Sequence, residues 1–177
     1  MSTYICICFD HEATGQIAAM QRRLEMGGVS DYARRVGYPP HLTLLGVDED
    51  QETDKIVSSA KAFADNWQPG QITLSAFGVF AAPESVLWLA PVPDASLLMA
   101  HRALSRTLEP LTIEENYRPG RWMPHVTLAE GLKHDQVNAA MDILAPQFKP
   151  IMAKPDRVEV VPFPPDRVIW SAGLSLI

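Results

Sequence analysis

Tyr38-Pro39-Pro40-His41-Leu42-Thr43-Leu44 and Trp122-Met123-Pro124-His125-Val126-Thr127-Leu128 are two copies of one seven-residue pattern: aromatic, any residue, Pro, His, aliphatic, Thr, Leu. In a strand, residues i and i+2 project from the same face. Each copy therefore sets an imidazole beside a hydroxyl and turns its aliphatic residues to the opposite face. A second match follows each copy in the same order. FAAPESVLW at 80–88 pairs with FPPDRVIW at 163–170, so Trp88 lies 47 residues after His41 and Trp170 lies 45 after His125. Two matched motifs in one order at nearly equal spacing point to a duplication within the chain, with a period too long for a solenoid.

The elements read outward from the motifs repeat in parallel. The first half predicts a strand over 3–8, helices over 13–25 and 30–35 (Ser30 as N-cap), and a strand over 41–45. A helix over 53–66 and strands over 71–80 and 85–92 complete it. The second half predicts a helix over 95–108, a charged loop over 114–120, and the motif strand over 125–128. A helix over 135–144 and strands over 157–161 and 167–176 close the chain. Residues 1–177 thus read as one α+β domain made of two duplicated lobes of strand–helix–hairpin type, with approximate two-fold symmetry.

Composition narrows the possible roles. Hydrophobic residues at 47% and charged residues at 20% are ordinary for a globular domain and exclude a disordered or fibrous chain. No apolar run reaches membrane-spanning length. The first eight residues lack the basic and apolar regions of a signal peptide, so a cytoplasmic location is expected. A net charge of −6 argues against coating long nucleic acid, which requires many neutralised phosphates. A small phosphate compound or a short RNA end is the expected partner, no membrane is expected, and a monomer is favoured. Cys6 and Cys8 follow one another on a single strand, which suits buried thiols better than a disulfide or a zinc site.

The paired His-x-Thr motifs suit phosphoryl chemistry. A phosphodiester needs donors for its non-bridging oxygens, a group to take a proton from the nucleophile and one to give a proton to the leaving oxygen. Two imidazoles with ordinary pKa values near about 6.5 can serve as base and acid at neutral pH, and two hydroxyls can donate to the phosphate. Facing each other across a groove, the histidines meet the in-line requirement without a metal or cofactor. His41, Thr43, His125 and Thr127 are therefore the candidate catalytic set. His11, His101 and His134 have no repeated context and read as surface or helix-end residues.

At these residues the sequence resembles the 2H phosphoesterase superfamily, and within it the 2′-5′ RNA ligase-like proteins, or RNA 2′,3′-cyclic phosphodiesterases. The resemblance implies a bilobal fold of two antiparallel sheets with outer helices around a central cleft. It implies metal-free opening of 2′,3′-cyclic phosphates of nucleotides or RNA ends to a 2′-phosphate. By the same likeness His125 would activate water, His41 would protonate the leaving 3′ oxygen, and Thr43 and Thr127 would hold the phosphate. Arg118 and Arg121, just before the second motif, could add charge beside the phosphate. Tyr38 and Trp122 could stack on a base. Trp88 and Trp170 read as core, and Arg34 and Arg35 as a solvated helix end. Three alternatives stand beside hydrolysis: a non-catalytic binding module for a nucleotide or RNA end, 2′-5′ ligation or 2′-5′ phosphodiester cleavage, and a metal-dependent phosphoesterase. The last lacks a clustered ligand motif such as H-E-x-x-H.

Overall fold

The computed structural model describes residues 2–48, 52–165 and 167–174. Along the chain run β1 (Thr3–Phe9), α1 (His11–Met26), α2 (Tyr32–Val36), β2 (His41–Val47), α3 (Thr53–Asn66), β3 (Ile72–Phe80) and β4 (Ser85–Pro91). The second half holds α4 (Ala95–Thr107), β5 (Val126–Leu132), α5 (His134–Leu144), β6 (Ile151–Ala153), β7 (Pro155–Pro162) and β8 (Trp170–Gly173). Two four-stranded antiparallel sheets result, ordered β2-β1-β7-β8 and β5-β4-β3-β6. The α+β fold class read from the sequence is the one observed.

The sheets are not assembled half by half. The β3–β4 hairpin that follows the first motif pairs with β5, the strand of the second motif. The β7 strand that follows the second motif pairs with β1, which in turn pairs with β2. Each half of the chain thus passes two strands into the sheet of the other motif, β3 and β4 one way and β7 and β8 the other, and the two sheets are tied by covalent chain as well as by packing.

The motif strands show the expected alternation. Leu42, Leu44, Val126 and Leu128 are buried, while His41, Thr43, His125 and Thr127 are half-buried on the other face. With Ile5, Ile7 and Phe9 they join one core cluster. Each such side chain removed from water stabilises the fold by about 1.5–3 kcal/mol before entropy is counted. Helices α3 and α4 cover the first sheet, and α1 and α5 cover the second. Helix α1 starts where the Asp10 carboxylate accepts from the Ala13 N–H at 2.8 Å, and buries Ile17, Met20 and Leu24. Among the described residues, no helix is long and apolar enough to cross a membrane.

Some local expectations need correction. Strand β6 carries no alternation long enough to read, and it forms because Ile72–Leu74 of β3 offers it an edge. The last strand begins at Trp170 and not at 167, and Ser175 and Leu176 lie outside the described residues. Trp170 is half-buried because β8 is an edge strand; only Trp88 of that pair is fully in the interior. Ser30 accepts from the Tyr32 N–H at 3.2 Å, but Asp31 occupies the cap position of α2, its carboxylate drawn off by Arg34 and Arg35. Those two arginines form the solvated helix end expected of them, paired also with Glu25 and Glu130.

Candidate active site

Strands β2 and β5 are the outermost strands of their sheets and approach one another. Their polar faces consequently border one cleft of about 570 Å3, lined by His41, Thr43, His125 and Thr127 together. Side chains close the backbone edges beside them. Trp122 Nε1 donates to the Thr43 carbonyl at 3.0 Å, and Gln21 Nε2 donates to the Thr127 carbonyl at 3.1 Å. The Thr43 hydroxyl lies 3.7 Å from Cys6 Sγ, and the phenols of Tyr32 and Tyr117 line the same cleft.

Both imidazoles are held in the same way. His41 Nδ1 lies 2.9 Å from the Pro39 carbonyl oxygen, and His125 Nδ1 lies 2.8 Å from that of Met123. A carbonyl can only accept, so each Nδ1 carries a proton and donates, which leaves Nε2 as the basic nitrogen. The proline of each motif, Pro40 or Pro124, stands between that carbonyl and the histidine. Its ring fixes φ near about −65° and so limits where the carbonyl can point. The repeated Pro-His pair is thus a device for setting a tautomer.

Their surroundings differ. The Tyr38 ring meets His41 edge-on at a centroid distance of 4.9 Å. The Tyr38 hydroxyl donates to Glu159 Oε2 at 2.5 Å, and Arg157 Nε donates to Oε1 at 2.6 Å. Glu159 is only 5% exposed, so a buried carboxylate sits one residue behind His41. His125 instead faces Phe80 at 4.9 Å and Trp88 at 5.9 Å, both edge-on. That wall depends on Gly78, whose register partner is Trp88 and where an added Cβ would lie 2.2 Å from the indole.

Removal from water holds both histidines below their ordinary pKa of 6.5. For His41, the Pro39 carbonyl pulls upward, the charge of His125 pushes down and that of Glu159 pulls up. For His125 the Met123 carbonyl partly offsets the burial. Glu159 itself is pushed up by burial, but hydrogen bonds from Tyr38 and Arg157 outweigh this and hold it low, hence charged. Burial pushes the Cys8 thiol up to about 12 and the Cys6 thiol further, so both are the buried thiols expected.

The remaining candidates divide. Arg121 lines the cleft at its rim, exposed and paired with Glu115 at 2.9 Å. Arg118 does not reach the cleft: its Nε is turned onto the Ile113 carbonyl at 3.1 Å, and it lines a different groove. Tyr38 lines the cleft, but its hydroxyl is committed to Glu159. Trp122 is buried and one face of its indole is covered by His101, at 4.0 Å and 5°, so it is a wall and not a free stacking platform. His101 is likewise no surface residue. It is 2% exposed and bonds the Tyr117 carbonyl through Nε2 at 2.9 Å. His11 and His134 are the exposed first residues of α1 and α5.

Two cleft residues escaped the sequence reading although a signal marked them. Phe80 and Phe163, the matching first residues of the repeated hairpin segments, both line the cleft. Phe80 touches His125, and Phe163 meets Tyr4 edge-on at 5.5 Å. Tyr32 and Tyr117 had no such mark. Among the described residues, no three His, Cys, Asp or Glu side chains are grouped as metal ligands.

Comparison with known proteins agrees with this geometry. A family model described as the 2′-5′ RNA ligase superfamily matches residues 10–163. A Bacillus pumilus protein named "Putative phosphoesterase" is 30% identical over 100 residues, which cover 55% of this chain and 56% of that one, so the match spans about half of the relative. Among solved structures, the Thermus thermophilus protein TT0787 matches 98% of each chain at 19% identity with a TM-score of 0.59. E. coli LigT in complex with 3′-AMP gives 18% identity and a TM-score of 0.59 over 98% of this chain and 97% of that one. LigT in complex with NADP+ gives 19% identity and 0.55 over 98% and 96%. These structures share the fold.

Proposed function

The chain belongs to the 2′-5′ RNA ligase superfamily, and from that premise we propose that it is a metal-independent phosphodiesterase opening 2′,3′-cyclic phosphates of nucleotides or RNA ends. The observation that carries the reading is the matched pair of histidines on one cleft, each locked through Nδ1 so that Nε2 alone is free for proton transfer. One such nitrogen can remove a proton from water while the other delivers one to the leaving oxygen. Water attacks phosphorus, the bond to the ribose 3′ oxygen breaks, and a 2′-phosphomonoester remains.

The asymmetry of the surroundings supports a division of labour. Glu159, behind Tyr38, favours the charged form of His41, and among the described residues no carboxylate acts on His125 within its aromatic wall. His41 is accordingly the acid and His125 the base. Burial alone would leave both neutral at pH 7; the negative charge of a bound phosphate raises the pKa of whichever proton it touches. Thr43 and Thr127 hydroxyls donate to the non-bridging oxygens, and Arg121 adds one cation at the rim. The ligands of LigT, 3′-AMP and NADP+, both carry phosphate on a ribose 2′ or 3′ oxygen, which fits this substrate class.

The test is turnover of a nucleoside 2′,3′-cyclic phosphate in EDTA by wild type, His41→Ala and His125→Ala. Each substitution should lower kcat by about 10²–10⁴-fold, the usual worth of a positioned acid or base. A 2′-phosphate product is expected. Turnover that needs added metal, or that survives both substitutions, would refute the mechanism. Formation of a 2′-5′ linkage when a 5′-hydroxyl replaces water would show the same pair working in the ligating direction.

A further inference from the structure

The cleft is not the only place where this acidic chain gathers polar groups suited to phosphate. Arg102, Arg106 and Arg118 line a second groove of about 510 Å3 with Ser105 and Thr112, and among the described residues Glu109 is its one lining carboxylate. Arg102 and Arg106 are four residues apart on α4 and so share a helix face. Among the described residues no carboxylate pairs with either. Three arginines converging on one groove in a chain of net charge −6 is a local reversal of sign that general solubility does not require.

The groove and the cleft share a wall. Residues 116, 117, 121 and 122 line the cleft, and residues 113, 118 and 119 of the same segment line the groove. The Arg121 N–H donates to the Arg118 carbonyl at 2.9 Å, so the two arginines lie at the ends of one tight turn. His101, next to Arg102, bonds the Tyr117 carbonyl and stacks on Trp122, which fixes α4 to that wall. Arg121 at the cleft rim, paired with Glu115, and Arg118, Arg102 and Arg106 in the groove thus mark a path over that shared wall.

Resting on the cyclic phosphodiesterase reading, we propose that this arginine groove binds the phosphodiester backbone of a short RNA whose 2′,3′-cyclic end occupies the cleft. Guanidinium groups suit phosphate oxygens because they present paired donors in a plane. The path is short, so it serves a few nucleotides next to the cleaved end, in keeping with the acidity of the rest of the surface.

The experiment compares kcat/KM for a nucleoside 2′,3′-cyclic phosphate and for a pentanucleotide ending in the same cyclic phosphate. Wild type, Arg102→Gln/Arg106→Gln and a charge-matched control, Arg22→Gln/Lys61→Gln, are assayed over a range of salt. The expected result is roughly a tenfold preference of wild type for the pentanucleotide at low salt. That preference disappears in the Arg102/Arg106 variant, whose turnover of the nucleoside is unchanged. The log–log salt slope for the pentanucleotide should fall by about 1.4 in that variant, given about 0.7 for each single-strand phosphate contact. No length preference in wild type, an intact preference in the Arg102/Arg106 variant, or an equal loss in the control would overturn the proposal. Binding of the same pentanucleotide to His41→Ala/His125→Ala protein, followed by fluorescence anisotropy with and without the Arg102 and Arg106 changes, tests the groove even if wild type turns over neither substrate. Equal binding by the two proteins would sink the groove on its own account.

Discussion

Glu159→Gln keeps the shape of a buried side chain and removes its charge. In the native protein the carboxylate accepts from Tyr38 at 2.5 Å, Arg157 at 2.6 Å and Ser171 at 3.5 Å. Hydrogen bonds to a charged group are worth about 1.5–3 kcal/mol each. Gln keeps one carbonyl oxygen for one of the two close donors and turns an NH2 on the other, so one strong bond is lost and one becomes neutral. That would total about 3 kcal/mol for a sealed site. Arg157, however, is 34% exposed and keeps Asp156 at 3.2 Å, and water recovers part of the loss, leaving about 2 kcal/mol. For a chain of this size the Tm should fall by about 4–8 °C.

The sign with pH follows from the direction of the shift. Glu159 titrates below its ordinary 4.5 in the folded protein, so its stabilisation is complete above the unfolded pKa and is lost as pH falls through the folded one. The Tm difference between wild type and Glu159→Gln should be constant from pH 6 to 8 and shrink below about pH 4.5. The same change takes away the charge that favours protonated His41, so the alkaline limb of kcat/KM should move to lower pH. Thermal melts by circular dichroism and a pH–rate series make the check. A Tm difference that persists undiminished at pH 3, or an alkaline limb that does not move, would refute the coupling of Glu159 to His41.

Since burial holds both histidines below 6.5, kcat/KM for a nucleoside cyclic phosphate should peak below pH 6.5 and decline through neutrality; a maximum above pH 7.5 contradicts this. Gly78→Ala puts a Cβ 2.2 Å from the Trp88 indole. It should cost about 1–3 kcal/mol by overpacking and lower kcat through the displaced wall of His125, so calorimetry showing an unchanged Tm would refute the close approach. His101 is buried and held below 6.5. Its stabilisation is present above the unfolded pKa and lost as pH falls, so His101→Gln should flatten, without abolishing, the fall in Tm between pH 7 and 5. A parallel Tm curve would mean that His101 does not titrate in that window.

The histidine pair, its hydroxyl partners, the half-buried strands that carry them and the α+β class were legible because they are local. Strand alternation is a two-residue rule, and it sent Leu42, Leu44, Val126 and Leu128 inward whatever they were to meet. The repeat of the two motifs was legible because it is likeness along the chain, and it even marked Phe80 and Phe163 before any contact was visible. Which strand pairs with which is not local. The exchange of β3–β4 and β7–β8 between sheets depends on which distant edge each can hydrogen-bond, and none of these strands carries a sign of its partner. Nor could adjacency in sequence say that Arg118 turns away to the Ile113 carbonyl while Arg121 stays at the cleft. A loop's direction is set by what it packs on, here Trp122 against His101. The Tyr38–Glu159–Arg157 chain that makes the two histidines unequal joins residues from β1's two neighbouring segments, and only the closed sheet brings them together. Sequence determined two equivalent imidazoles, and tertiary structure made them different, because identical motifs inherit whatever electrostatic surroundings the fold builds around each.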